Sequence, residues 1–129
     1  MPKPKQHQEK ADHHRAFLAT IAADQFPDWA AVVAFYCAVE LIEKLRAYDG
    51  QHSESHHDRN VYVQQKPHRQ IHVHFRELYT AALVARYATL NAFAHSAQQV
   101  RDELVNKHLA AIEGYVRQLS AAKSAPPAP

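Results

Sequence analysis

The segment 29–48 constrains the fold more than any other part of the chain. Its first fourteen residues, WAAVVAFYCAVELI, contain a single charged side chain, that of Glu40. A helix that is apolar on almost every side is stable only when other elements cover it. The segment is preceded by Asp28, a residue type favoured at helix N-caps, and followed by Asp49-Gly50, where glycine can end a helix in the left-handed conformation. We therefore predict a buried central helix over 29–48.

Segments on both sides of this helix carry apolar stripes that can cover it. Residues 9–23 and 68–88 each place apolar side chains three and four positions apart, which is the spacing of one helix face. A further helix is predicted after Ser96, because Ser96 and Gln99 have the spacing of a capping box. Its stripe consists of Val100, Leu104, His108, Ala111, Tyr115 and Leu119.

A polar, histidine-rich connection, residues 51–67, separates the central helix from the helix predicted over 68–88. Within it, Ser55 and Asp58 again have capping-box spacing. This spacing predicts a short helix over about 56–64, which Pro67 would end.

Together these segments predict an all-α fold, an antiparallel helical bundle of four long helices plus one short connecting helix. The chain contains only 2 glycines, whereas an all-β protein of this size needs many glycine-containing turns. Its length of 129 residues fits a single domain. We predict a disordered lead-in over 1–8, one bundle domain over 9–121, and a disordered tail over 122–129.

Composition excludes several classes of protein. The only cysteine, Cys37, cannot form an internal disulfide framework, which is typical of proteins from a reducing compartment. The N-terminus lacks the apolar core of a signal peptide, and no apolar run reaches the ~20 residues of a membrane span. The net charge of +2 gives no strong basic field for DNA. We therefore expect a cytoplasmic protein that does not associate with membranes.

Histidine is unusually frequent, with 11 in the chain. The pairs His52/His56 and His68/His72 are each four residues apart, so each pair would share a helix face and could in principle hold a metal ion. The chain has no H-E-x-x-H motif and no Cys/His finger spacing. Solvated histidines are the favoured interpretation, with no metal and no cofactor, and a histidine-rich metal-binding bundle is one alternative.

Glu40 needs a partner if the central helix is buried, because an unpaired buried carboxylate is costly. The expected partners are Arg86 on the helix at 68–88, or Arg59 and His56 beyond the connection. The favoured interpretation is a buried ion pair that fixes the register of the helices. The alternative is a polar pocket formed by these four residues, since such clusters perturb pKa values and mark some functional sites.

Arg86 lies between aromatic residues in the predicted helix at 68–88. Tyr79 is seven positions before it, and Tyr87 adjoins it. An arginine with flanking aromatic rings can stack on nucleic-acid bases. The alternative interpretation is a helix edge that covers the core.

The chain resembles HEPN domains in the order of these features. Its central stretch WAAVVAFYCAVEL is similar to the long second helix of that family, and a glycine-ended helix and a histidine-containing loop follow in the same order. A leucine–tyrosine pair, an alanine–x–tyrosine motif and a closing helix then follow, and they are also similar to features of that family. The resemblance spans about residues 28–120, and its later pieces are Leu78-Tyr79, Ala85-Arg86-Tyr87 and Gly114-Tyr115-Val116.

This resemblance implies a short helical bundle that forms a homodimer and whose work is linked to nucleic acid. Active HEPN domains are metal-independent ribonucleases, often toxins or defence effectors. Other members are binding modules or partners of nucleotidyltransferases. The partners implied are RNA and a cognate antitoxin or nucleotidyltransferase.

The resemblance also implies where a site would lie. In active members an arginine with a polar follower precedes a histidine by a few residues. Histidine then handles the proton of the 2′-hydroxyl, and arginine stabilises the phosphate charge. The catalytic candidates are His52, His56, Arg59, Asn60 and Arg86, with Glu40 and Tyr87 as supporting residues and Arg101 and His108 as secondary candidates.

The chain departs from the active motif at two places. Arg59-Asn60 begins like the motif, but no histidine follows at the required distance, and Arg86 stands where the family has aspartate. We therefore predict a HEPN-like module that binds RNA or a protein partner without surviving catalysis. The alternative is a metal-independent ribonuclease of a toxin–antitoxin or defence system.

Overall fold

A computed structural model describes residues 1–124, and these residues form helices joined by turns, with no strand among them. The all-α helical bundle is therefore confirmed. Helix α1 spans Pro4–Thr20, α2 spans Pro27–Tyr48, α3 spans His56–Gln64 and α4 spans His72–Tyr87. The last helix, α5, runs without a break through α-helical Ala97–Gln99, π-helical Val100–Leu109 and α-helical Ala110–Ser124.

Helix α2 forms the centre of the core, as its apolar composition predicts. Most of its residues are buried, and Phe35, Ile42 and Leu45 are each no more than 1% exposed. It packs against α1, α4 and α5. Covering α2 on these sides removes its apolar surface from water, and this burial is the main favourable contribution to folding.

Contacts between side chains give the helix directions. His7, near the start of α1, contacts Glu40 in the second half of α2, whereas Leu18 near the end of α1 lines one cavity with Ala30 of α2. Helix α1 is therefore antiparallel to α2. In the same way, His74 of α4 contacts His108 of α5, and the preceding His68 contacts Tyr115 further along α5, so these two helices are also antiparallel.

The two ends of α2 differ in how well the sequence predicts them. The predicted N-cap at Asp28 is wrong, because the helix begins one residue earlier, at Pro27, whose fixed φ and missing N–H suit the first helical position. The predicted glycine end is confirmed. Gly50 has a φ of +69°, and its N–H donates to the carbonyl of Ala47 at 3.1 Å. The N–H of Gln51 donates to the carbonyl of Arg46 at 3.0 Å, which completes a Schellman motif.

Both other capped helices begin as predicted. The Ser55 hydroxyl accepts a hydrogen bond from the backbone N–H of Asp58 at 3.1 Å, and α3 spans the predicted residues. Ser96 and Gln99 form a complete capping box at the start of α5. The helix predicted over 68–88 begins instead with a 3₁₀ turn, His68–Ile71, before α4.

The ends of the chain differ from the prediction. Helix α1 already begins at Pro4, so most of the predicted disordered lead-in over 1–8 is helical. The reason is His7, which is only 9% exposed because it packs onto Glu40. At the other end, α5 continues to Ser124, beyond the predicted domain limit of 121. The rest of the predicted tail, residues 125–129, lies outside the described residues.

Candidate basic site on helices α3 and α4

Helices α3 and α4 place two basic side chains, those of His56 and Arg86, against Phe35 of α2, and Arg59 contacts His56. We call His56, Arg59 and Arg86 the basic cluster. The His56 ring centroid lies 5.7 Å from that of Phe35, and the Arg86 guanidinium carbon also lies 5.7 Å from the Phe35 centroid. Three of the sequence-predicted site residues are therefore neighbours, although they are separated by up to thirty positions in the chain.

Arg59 is fixed at the base of the cluster. Its Nε donates to Oε2 of Glu43 at 3.1 Å, and its Nη1 donates to Nδ1 of His56 at 2.9 Å. Glu43 also accepts hydrogen bonds from the backbone N–H of Ser53 at 2.7 Å and from its hydroxyl at 2.6 Å. Arg59 is 9% exposed and Glu43 6% exposed. The charge of Arg59 is thus neutralised internally, and its role is to position His56.

The contact with Arg59 determines the tautomer of His56. A guanidinium only donates hydrogen bonds, so Nδ1 of His56 is the acceptor, and the proton of the neutral ring is on Nε2. Burial lowers the pKa of His56, and the positive charges of Arg59 and Arg86 lower it further. His56 is therefore a neutral hydrogen-bond donor at neutral pH.

Arg86 keeps an uncompensated charge. Its Nε donates to the carbonyl of Ala82 at 3.1 Å, and its Nη1 donates to the hydroxyl of Tyr36 at 2.6 Å. Within residues 1–124, no aspartate or glutamate forms an ion pair with it. A guanidinium has five N–H groups, and two of those of Arg86 donate hydrogen bonds within residues 1–124.

Aromatic rings surround the Arg86 guanidinium. Its carbon lies 5.1 Å from the ring centroid of Tyr87 and 5.5 Å from that of Tyr36, distances at which cation–π attraction operates. Tyr87 is 76% exposed. Arg86 therefore presents a fixed cation next to an aromatic ring that solvent molecules and ligands can reach.

This arrangement is suited to holding an anion rather than to removing a proton. Arg86 and the Nε2–H of His56 are both donors, and phosphate oxygens accept such hydrogen bonds. A general base needs a free lone pair within reach of its substrate. The lone pair of His56 is directed at Arg59, so His56 has none to offer in this geometry.

The expected partners of Glu40 are wrong. Oε1 of Glu40 lies 2.9 Å from Nδ1 of His7 on α1, and none of Arg59, His56 and Arg86 forms a hydrogen bond or ion pair with it. Glu43, which is not among the residues predicted for the site, pairs with Arg59 instead. Tyr36, which accepts a hydrogen bond from Arg86, was also not predicted as a site residue. Helical spacing could have identified Glu43, because it follows Tyr36 by seven positions, or two helical turns, and so lies on the same side of α2.

The remaining candidates lie elsewhere or have other partners. The His52 side chain is half exposed, and its Nε2 lies 3.2 Å from Glu54. Asn60 is half-buried on α3. Arg101 is exposed and pairs with Asp24 at 3.0 Å, whereas the buried His108 contacts His74. The two secondary candidates, Arg101 and His108, therefore contact different residues, Asp24 and His74.

The two histidine pairs singled out by spacing do not converge with other ligands. Across residues 1–124, no three histidine, cysteine, aspartate or glutamate side chains come together as a metal site would require. His56 bonds Arg59, and Nδ1 of His68 lies 2.7 Å from the hydroxyl of Tyr115.

Comparison of the chain with protein-family models, with characterised proteins and with solved structures finds no match. The HEPN resemblance therefore stays a prediction from the residue pattern. As for membrane association, every helix within residues 1–124 is too short or too polar to cross a bilayer.

The Glu43–Arg59 pair predicts a pH dependence of stability. Burial alone would raise the pKa of Glu43, but the hydrogen bonds from Ser53 and the charge of Arg59 outweigh it and lower the pKa. A carboxyl whose folded pKa is lowered stabilises the fold above its unfolded pKa, and this stabilisation is lost as pH falls through the folded value. We expect acid to lower the free energy of unfolding less steeply in Glu43→Gln than in the wild type. Urea unfolding from pH 6 down to about pH 3 measures the difference, and identical slopes would contradict this assignment.

Proposed function

We propose that this protein is a HEPN-like helical module that binds RNA at the basic cluster without cleaving it. The observation that carries this proposal is the charge of Arg86, which has no acidic partner among residues 1–124, beside the exposed ring of Tyr87. Arg86 and the Nε2–H of His56 donate hydrogen bonds to a backbone phosphate, and Tyr87 stacks on an adjacent base. We also propose that the protein acts in the cytoplasm as a homodimer.

Single-stranded RNA fits the size of this site better than a duplex does. The net charge of the chain is only +2, so it lacks the broad basic surface that duplex binding by phosphate contacts uses. One arginine and one exposed aromatic ring are matched to one phosphate and one unstacked base. Sequence-specific recognition of RNA occurs mostly in single-stranded regions for the same reason, because their bases are accessible for stacking.

The tautomer of His56 supports the proposed absence of cleavage. For His56 to accept the 2′-hydroxyl proton, it would have to release Arg59, and Arg59 would lose one of its two buried partners. The ribonuclease alternative therefore requires the His56 side chain to leave Arg59, which the binding function does not need.

We expect Arg86→Ala to weaken RNA binding by at least about tenfold, because a hydrogen bond to a charged group contributes roughly 1.5–3 kcal/mol. Tyr87→Ala removes the stacking surface and is expected to cost about 1–3 kcal/mol. Fluorescence anisotropy with a labelled single-stranded RNA oligonucleotide at fixed salt measures both. Arg76→Ala is the matched control, since Arg76 is exposed on the same helix and outside the cluster.

Three results would contradict the proposal in different ways. Equal RNA affinity of Arg86→Ala and the wild type would show that the basic cluster is not the RNA-binding site. RNA cleavage by the wild type that is lost in His56→Ala would replace binding with the ribonuclease alternative. Failure of the wild type to bind any RNA, together with retention of a protein partner that Arg86→Ala loses, would indicate the protein-binding alternative. Thermal unfolding of each variant checks that the fold is intact.

A further inference from the structure

Helix α2 has one strip of side chains that the other helices leave partly uncovered. From Ala30 to Glu43 every residue of α2 is buried except Val33 and Tyr36, which are half-buried. Trp29, one turn before Val33, is 57% exposed. The three residues follow one another at intervals of four and three positions, so they lie on one side of the helix. We call Trp29, Val33 and Tyr36 the α2 strip.

The α2 strip leads to the basic cluster. Tyr36 forms one end of the strip, and its hydroxyl accepts the hydrogen bond from Nη1 of Arg86 at 2.6 Å. Trp29 lies seven positions before Tyr36, which is about two helical turns and roughly 10 Å along the helix axis. The strip therefore connects the exposed indole of Trp29 with the cation of Arg86.

The chemistry of the α2 strip suits a single nucleic-acid strand. The strip has two aromatic rings, and aromatic rings stack on bases of any sequence. It has no carboxylate that would repel a phosphate. Glu40, the next residue on this side of α2, is buried against His7, and Asp28 lies about 100° around the helix from Trp29.

The α2 strip is too narrow to be a protein interface by itself. Its neighbours along α2 are buried under the other helices, so the strip is one side chain wide. Three partly exposed side chains supply far less than the roughly 800 Å² that each partner buries in a stable protein interface. A strand one nucleotide wide needs no such area, because each base stacks on one ring.

We propose that the α2 strip extends the RNA-binding site and that Trp29 stacks on a second base of the same strand. This inference rests on the proposed function, because the phosphate at Arg86 and the base at Tyr87 fix one end of the strand. A stacked strand rises about 3.4 Å per nucleotide, so the roughly 10 Å between Tyr36 and Trp29 corresponds to about three nucleotides. The ligand is thus single-stranded RNA of at least about four nucleotides, and Trp29 distinguishes it from a free nucleotide.

The test compares a short and a long strand on the full-length protein. Fluorescence anisotropy measures the affinity of labelled adenylate dinucleotide and hexanucleotide RNAs. We expect Trp29→Ala to bind the hexanucleotide at least about fivefold more weakly, because it loses one stacked base, and to bind the dinucleotide like the wild type. Trp29→Phe keeps an aromatic ring and should restore most of the affinity. Val73→Ala is the matched control, since Val73 is 57% exposed at the opposite end of α4 from Arg86.

Trp29 also provides a direct signal, because it is the only tryptophan in the chain. A stacked base quenches indole fluorescence. We expect the hexanucleotide to quench the emission of the wild type and the dinucleotide to leave it almost unchanged. Arg86→Ala should need at least about tenfold more hexanucleotide for the same quenching, because it loses the phosphate contact.

Three results would overturn this inference and leave the basic cluster as the RNA site. The first is hexanucleotide binding that depends on Arg86 but not on Trp29. The second is equal weakening of both RNAs by Trp29→Ala, which would indicate a change of the fold that thermal unfolding measures. The third is a lower molecular mass of Trp29→Ala in sedimentation with unchanged RNA affinity, which would make the α2 strip a contact between copies of the chain. A wild type that binds neither RNA would instead contradict the proposed function and this inference together.

Discussion

Replacing Arg59 with alanine is expected to lower the free energy of unfolding by about 3–5 kcal/mol, because it breaks a buried ion pair from one side. Glu43 would keep its hydrogen bonds from Ser53 but lose the only cation that pairs with it among the described residues. His56 would lose its donor at Nδ1. This loss is a large fraction of the roughly 5–15 kcal/mol that usually stabilises a domain.

Urea unfolding monitored by circular dichroism measures this loss, with Arg69→Ala as the control because Arg69 is exposed. The control should change stability by no more than about 0.5 kcal/mol. A loss below about 1 kcal/mol in Arg59→Ala would mean that the pair is solvated, as surface ion pairs are. The expected loss also has a practical meaning. Because Arg59→Ala is expected to destabilise the fold, reduced RNA binding by that variant could not be distinguished from unfolding. Arg86 is therefore the better residue for testing the site.

Phe35→Ala is expected to cost about 3–5 kcal/mol of stability, the usual cost of deleting a buried phenylalanine ring. Phe35 is 0% exposed, and its ring centroid lies 5.7 Å from those of Phe75 and Tyr79. The substitution therefore leaves a cavity between α2 and α4. Because His56 and Arg86 both pack against the Phe35 ring, we also expect weaker RNA binding.

Guanidinium or urea unfolding checks the stability change, and two variants calibrate it. Phe35→Leu refills much of the cavity and should cost less than Phe35→Ala. Phe17→Ala removes a phenylalanine that is 54% exposed, and we expect a small change there. Similar losses in Phe17→Ala and Phe35→Ala would contradict the central position of α2 in the core.

The helices could be predicted because their signals are local. The apolar composition of 29–48, the glycine at its end and the serine caps before α3 and α5 each act within a few residues of chain. Partner choice is not local. Glu40 and Glu43 are three positions apart on one helix, and which of them faces Arg59 depends on how α1, α2 and α3 pack. Composition predicts that residues 1–8 are disordered, so the contact of His7 with Glu40 cannot be anticipated, and Glu40 rather than Glu43 is predicted to pair with Arg59.

His108 shows a second limit of reading periodicity. Val100, Leu104 and His108 follow one another at intervals of four residues, a spacing that predicts one face of an α-helix. The structure instead gives this part of α5 a π-helical backbone, which has more residues per turn. The expectation that His108 lies on the buried side is correct, but its contact with His74 on α4 could not be read from α5 alone.

The position of His7 has a consequence for anyone who shortens the protein. The opening residues look dispensable by composition, with two prolines and several polar side chains. A variant that begins at Glu9 would nevertheless lack His7. The buried carboxylate of Glu40 would then lose its hydrogen-bond partner, which destabilises the fold. An N-terminal tag should therefore be added before Met1 through a flexible spacer, so that the first turn of α1 stays helical.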